Sequence, residues 1–168
     1  MKMFPETSFP KTGIIARAGL WSALAFVLNL AWEAAHVRLY TIWLDTEPLS
    51  IALAVLHCTL GDVVIALATY ALAGIVLRRA DWPLSKPWAG GIITVTSAIA
   101  YTAWSEWHNV YQTGSWGYTA EMPLISGIGI SPLLQWLVLP LLMVIAYRKF
   151  GSVPHRLQGT RTPIQPVG

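Results

Sequence analysis

Glu33 and His36 stand three residues apart in a stretch made otherwise of Leu, Ala, Asn and Trp. On a helix that spacing puts a carboxylate and an imidazole on one face. Carboxylate-bridged di-metal bundles project ligands inward with the same spacing. Asn29 and Tyr40 extend the face, so that Asn29, Glu33, His36 and Tyr40 follow i, i+4, i+7, i+11. Further along, Asp62 shares a helical face with Cys58 and Thr69, with His57 to one side. Glu106 aligns with Thr102 and Asn109, while His108 points nearly opposite. Gln135 aligns with Ser131. Only one true Glu-x-x-His exists, and Glu106-x-x-Asn109 is its nearest counterpart.

Several chemistries suit such residues. A mononuclear zinc-like or iron-like site could draw on Glu33, His36, His57 and Asp62, which makes a divalent metal the first cofactor to consider. Metal-free acid–base work on a lipid or isoprenoid needs carboxyl groups that hold and release a proton inside an apolar site. For that chemistry the catalytic set is Glu33, His36, Asp62 and Glu106, with Asn29, Asn109 and Gln135 as supporting polar groups. Haem b would need two histidines, His36 with His57 or His108. Beside these stands a structural role, in which the acids only hydrogen-bond between helices. On that reading Cys58 is a small packing residue, and His108 belongs to an interfacial belt with Trp104 and Trp107.

The elements that position these residues follow from composition. Of 168 residues, 55% are hydrophobic and only 11% charged, against a quarter or so charged in soluble domains. The charges cluster, leaving long uncharged stretches between them. A chain like this is solvated by lipid, and its expected fold is an all-α integral membrane protein, a bundle of four transmembrane helices. The spans expected are 14–40, 49–77, 88–109 and 131–150. The first resembles a signal peptide in having a basic start and an apolar centre, but its helical character continues through Trp32, Glu33 and His36. No A-x-A site follows, so it reads as a retained span. The second stops at Arg78-Arg79, and 80–86 reads as a short turn containing Pro83. Ser131-Pro132 reads as an N-cap followed by N1, Pro140 as a kink, and Gly151 as a C′ glycine. The transmembrane domain is 13–151, between a short lead over 1–12 and a disordered tail over 152–168.

Residues 110–130 are too aromatic for a free polar loop and should pack over one end of the bundle. The nine tryptophans suit the bilayer interface. One cysteine excludes an intramolecular disulfide. The net charge of +3 comes without a basic stripe, which excludes nucleic acid as a partner.

Orientation follows from the positive charges. All Lys and Arg except Arg38 fall at the N-terminus, the 2–3 turn or the C-terminus. The positive-inside rule then places both termini in the cytoplasm, in a multi-pass protein of a cell membrane such as a bacterial inner membrane. Every acid and histidine of the spans comes out in the outer half. A polar path does not reach the inner face, which disfavours transport through this chain alone. Ionisable groups at membrane depth usually face the bundle interior and find partners there. The expected function is therefore a membrane enzyme, metal-assisted or acid–base, acting on a lipid-soluble substrate at an outward-facing polar pocket. The alternatives are a non-catalytic subunit or assembly factor of a membrane complex with other membrane-protein partners, or a haem-binding bundle.

Overall fold

The computed structural model describes residues 11–45 and 47–151. Most of the expected lead and all of the expected tail lie outside the described residues.

The long helix α1 (Lys11–His36) is followed by a 3-10 turn, Val37–Leu39, and the one-turn α2 (Ile42–Asp45). Then come α3 (Pro48–Leu77), the one-turn α4 (Trp82–Ser85) and α5 (Pro87–Trp107). A π-helical segment, His108–Thr113, leads to strands β1 (Leu124–Ile125) and β2 (Ile128–Gly129), and α6 (Ile130–Gly151) closes the chain. Of the four long helices, α1 and α5 each pack against both α3 and α6.

Three stretches are long and apolar enough to cross a membrane: Gly13–Leu39, Pro48–Leu77 and Ile130–Gly151. The chain is thus an all-α protein of multi-pass membrane type. Its outer surface agrees, since Ile15, Leu49, Ile75, Trp88 and Ile145 are each more than 60% exposed. An apolar surface this extensive is one that contacts lipid. Several hydroxyl groups on the helices are satisfied locally. Ser22 donates to the Ala18 carbonyl, Thr59 to Val55 and Thr69 to Ile65, so these side chains carry no unpaired donor into an apolar medium.

One end of the molecule is held by aromatic packing. Trp21, Tyr70, Trp82 and Tyr147 are buried together, with ring centroids of neighbouring pairs 5.3–5.9 Å apart. Their polar atoms are used: Trp21 Nε1 donates to the Ala66 carbonyl at 3.0 Å, and Trp82 Nε1 to that of Tyr70 at 3.1 Å. The turn expected over 80–86 is therefore not a solvent turn. It contains α4, and it inserts Trp82, fully buried, against Gly90.

At the other end the expected boundaries shift. α1 stops at His36, and by Tyr40 the backbone is extended, with φ −111° and ψ 149°. That turn lets residues 39–41 pair with the long connection. Thr41 N donates to the Gly117 carbonyl and Thr119 N to that of Leu39, both at 2.9 Å. The connection also holds a small hairpin, with Leu124 opposite Gly129 and Ile125 opposite Ile128. Its turn is Ser126-Gly127, both with positive φ, 51° and 83°, as a two-residue hairpin loop requires. Tyr111 Oη closes on the Gly127 carbonyl at 2.6 Å, and Met122 is buried beneath. The segment over 110–130 is thus stitched onto the end of α1.

α6 starts at Ile130, whose N–H donates to the Pro123 carbonyl. Ser131 does not act as the expected N-cap, because its hydroxyl is used elsewhere. Gly151, expected as a C′ glycine, is itself helical and is the last described residue.

Candidate functional site

The polar face expected on α1 is present, and it meets α3 and α6 through one amide. Gln135, 2% exposed on α6, donates from Nε2 to Asn29 Oδ1 at 2.8 Å and to Asp62 Oδ2 at 2.8 Å. Glu33 Oε1 lies 3.3 Å from the same nitrogen. An amide nitrogen has two hydrogens, so the two shorter contacts use both and Glu33 is the third, weakly held acceptor. Asn29 is fixed in turn by donating to the Ala25 carbonyl at 2.7 Å. Glu33 and Asp62 thus approach the same donor from two helices. Neighbouring carboxyl groups in an apolar cleft repel when both are charged, and a proton on one of them relieves the repulsion.

His36 flanks this pair. Its Nδ1 is 2.8 Å from Ser131 Oγ, and its Nε2 is 3.1 Å from Glu33 Oε2. The second contact is close but poorly aligned for a hydrogen bond, so Nε2 remains a buried polar atom with no directed partner. The imidazole packs edge-on against Tyr40, with centroids 5.4 Å apart.

Glu106 forms a second station. It is 7% exposed and accepts from Tyr118 Oη at 2.5 Å and from Tyr40 Oη at 3.3 Å to each oxygen. Tyr118 belongs to the connection between α5 and α6. Burial, reinforced by the adjacent Glu106 carboxylate, raises the Tyr118 hydroxyl above the ordinary phenol range. It stays a proton donor at neutral pH.

Both stations border one cavity of about 1010 Å³. Glu33, His36, Asp62, Glu106 and Gln135 line it, as do Thr102, Trp116 and Trp136. Its wall continues to Leu53, Val64 and Tyr101, which are 58%, 66% and 48% exposed on α3 and α5. The cavity therefore opens sideways between these helices. Thr102, which borders it, has a buried Oγ1 without a hydrogen-bond partner.

Other expected site residues stand apart from this network. Asn109 also borders the cavity, but its amide turns back to Ser105, donating to the carbonyl at 2.8 Å and to Oγ at 3.2 Å. His57 lies at the cavity edge and is exposed. Among the described residues, no three His, Cys, Asp or Glu side chains converge in a way that could hold a metal ion. The four ligands expected for a metal do not form a ligand set. Both His36 nitrogens face neighbours already, while His108 is stacked on Trp104 at 5.3 Å and lies outside the cavity lining. His36 and His108 thus do not meet as axial haem ligands. Cys58 is half-buried on the cavity wall.

Tyr40, Tyr118, Trp116 and Ser131 have larger roles than their sequence context suggests. Tyr40 sat on the expected polar face. For Tyr118 and Trp116 the available signal was only the aromatic richness of the connection. Comparison with family models, with curated proteins and with solved structures gives no match.

Proposed function

We propose that this protein is a membrane-embedded acid–base enzyme whose lipid-soluble substrate enters sideways between α3 and α5. One observation carries the reading. Two carboxyl groups from different helices, Glu33 and Asp62, converge on one amide nitrogen, Gln135 Nε2, at 3.3 and 2.8 Å, on the wall of a large cavity whose rim is apolar and exposed. A carboxyl pair holding one proton supplies an acid and a base together, and the neighbouring His36 can pass or hold a proton at Nε2. The lateral opening suits a substrate delivered from the bilayer.

In this reading α5 is a fourth span and both termini are cytoplasmic, in a cell membrane of bacterial inner-membrane type. α5 alone of the four long helices is not apolar enough by composition to count as a span, yet its buried residues Thr94, Ala98, Thr102 and Glu106 recur every four positions. These groups face protein, the exposed Thr96 hydroxyl bonds to the Ile92 carbonyl of its own helix, and Ile92 and Trp104 face outward. Its 21 residues give roughly 30 Å of helix, the thickness of a hydrocarbon core.

A non-catalytic subunit would need the same interhelical bonds but no cavity. The unfilled volume and the unpartnered Thr102 hydroxyl favour a ligand. The test compares lipid-soluble extracts from cells making the wild-type protein, Asp62→Asn or Glu33→Gln, by mass spectrometry. A compound consumed or formed only with the wild type is the expected result. Identical extracts from all three strains, with each protein folded in the membrane, would overturn the enzymatic reading.

A further inference from the structure

The charge balance of the cavity narrows the substrate class, granted the enzymatic reading above. Glu33, Asp62 and Glu106 line the cavity, and among the described residues neither Lys nor Arg lines it. The imidazoles His36 and His57 are the sole lining groups able to carry positive charge. Acids alone would not make a site. Here, however, Thr102, 93% buried with its Oγ1 unpartnered, borders the same space.

Chemistry that develops negative charge, on an oxyanion or a phosphoryl group, requires positive groups or converging donors to stabilise it. This cavity holds the opposite arrangement. Phospholipids and polyprenyl phosphates would place an anion beside three carboxyl groups at low dielectric, where like charges repel strongly. A cation there is drawn to the carboxylates. It is also drawn to the faces of Tyr40, Tyr101, Trp116 and Trp136, all on the lining, because aromatic faces attract positive charge.

We infer that the cavity takes an uncharged, unsaturated hydrocarbon lipid and stabilises a positive charge formed on it by proton transfer. The step balances without any further reactant. A carboxylic acid of the Glu33–Asp62 pair gives its proton to one carbon of a C=C bond, and the π electrons form the new C–H bond. The neighbouring carbon is left cationic. A carboxylate then removes a proton from an adjacent carbon, the C–H electrons form the shifted double bond, and the acid is restored. The class of reaction is double-bond isomerisation.

The test uses charge mimics in nanodiscs of phosphatidylcholine, a zwitterionic lipid that does not itself concentrate cations. N,N-dimethyldodecylamine is protonated at pH 7, dodecanol is neutral and dodecyl phosphate is anionic. Binding is read from the fluorescence of the cavity tryptophans. The amine should bind at least about tenfold more tightly than the alcohol, and the phosphate most weakly. Glu106→Gln should weaken the amine severalfold and leave the alcohol unchanged. Equal binding of amine and alcohol, preference for the phosphate, or unchanged amine affinity in both Glu106→Gln and Asp62→Asn would each overturn the inference. Thermal melting of each variant separates lost binding from lost fold. The outcome is independent of the extract comparison. Tight amine binding with unaltered extracts would leave a cation-selective cavity without turnover, whereas altered extracts without charge preference would leave an enzyme of another class.

Discussion

Gln135 on α6 donates to Asp62 on α3 at 2.8 Å, and through the same nitrogen to Asn29 on α1. Three helices are thus joined at one buried amide. Replacing it with leucine keeps the volume but leaves Asn29 Oδ1 and Asp62 without their donor. An unsatisfied buried polar group costs about 1–3 kcal/mol, though interhelical bonds in membranes average nearer ~0.6 kcal/mol. The expected outcome for Gln135→Leu is a loss of about 1–3 kcal/mol in a denaturation titration in detergent. Stability equal to wild type would mean that cavity water replaces the amide.

The packing of Trp82 makes a sharper structural test. A Cβ built on Gly90 would fall 1.9 Å from Trp82 Cε3, whereas one on Gly91 meets nothing within 4 Å. Trp82 is fully buried and cannot retreat. Gly90→Ala should therefore cost about 1–3 kcal/mol or more through overpacking. Gly91→Ala should be neutral, or stabilising by up to ~1 kcal/mol from helix propensity. Thermal midpoints of the two variants settle the comparison, and equal midpoints would refute the close approach of α4 to α5.

These two positions also show what was legible in the sequence. The polar face Asn29–Glu33–His36 was readable because helical phase is set by spacing alone, and α1 is regular through those residues. Asp62 and Gln135 were readable for the same reason. Asn109 was legible as to face, since it borders the same cavity, but not as to partner, because its amide turns back to Ser105. The Trp82 insertion was hidden by its neighbours. Pro83, Ser85 and Lys86 read as a turn, and only the partner Gly90, eight residues on, creates the slot. Tyr118 was hidden because an irregular connection has no period from which to infer a facing. Its position depends on backbone pairing between 117–119 and 39–41.

Tyr118 ties that connection to the cavity wall by its bond to Glu106, so its removal should loosen the cover. In Tyr118→Phe, amide hydrogen exchange over residues 115–130 should rise. Tyr40→Phe should have the smaller effect, since its contacts to Glu106 are 3.3 Å rather than 2.5 Å. The pH dependence has a definite sign. The folded state raises the Tyr118 hydroxyl above the ordinary value near ~10, by burial first and then by its bond to the Glu106 carboxylate. The contribution of the protonated hydroxyl is thus complete at neutral pH and is lost only as pH rises through the folded value. Protection of the segment, corrected for intrinsic exchange, should be flat between about pH 6 and 9. A fall in that window would show that Tyr118 is not the group holding the segment.

The number of spans decides where the cavity lies, and parity makes it measurable. With α1, α3 and α6 as the only crossings, the two termini would lie on opposite sides of the membrane. With α5 as a fourth, they share a side. Positive charge favours the second arrangement, since Arg78, Arg79 and Lys86 between α3 and α5 match Arg17 before the first crossing and Arg148 and Lys149 at the last. The Thr94–Thr102–Glu106 stripe removes the objection from polarity, because those groups are buried against protein. Reporter fusions after Lys11, within 80–86 and after Arg156 should all read cytoplasmic, and fusions near Glu47 and Gly117 external. A cytoplasmic signal at Gly117 beside a cytoplasmic signal at 80–86 would place α5 on the membrane surface. Glu106 would then sit in water rather than beside Asp62 at depth, and a lipid-facing cavity between α3 and α5 could not exist.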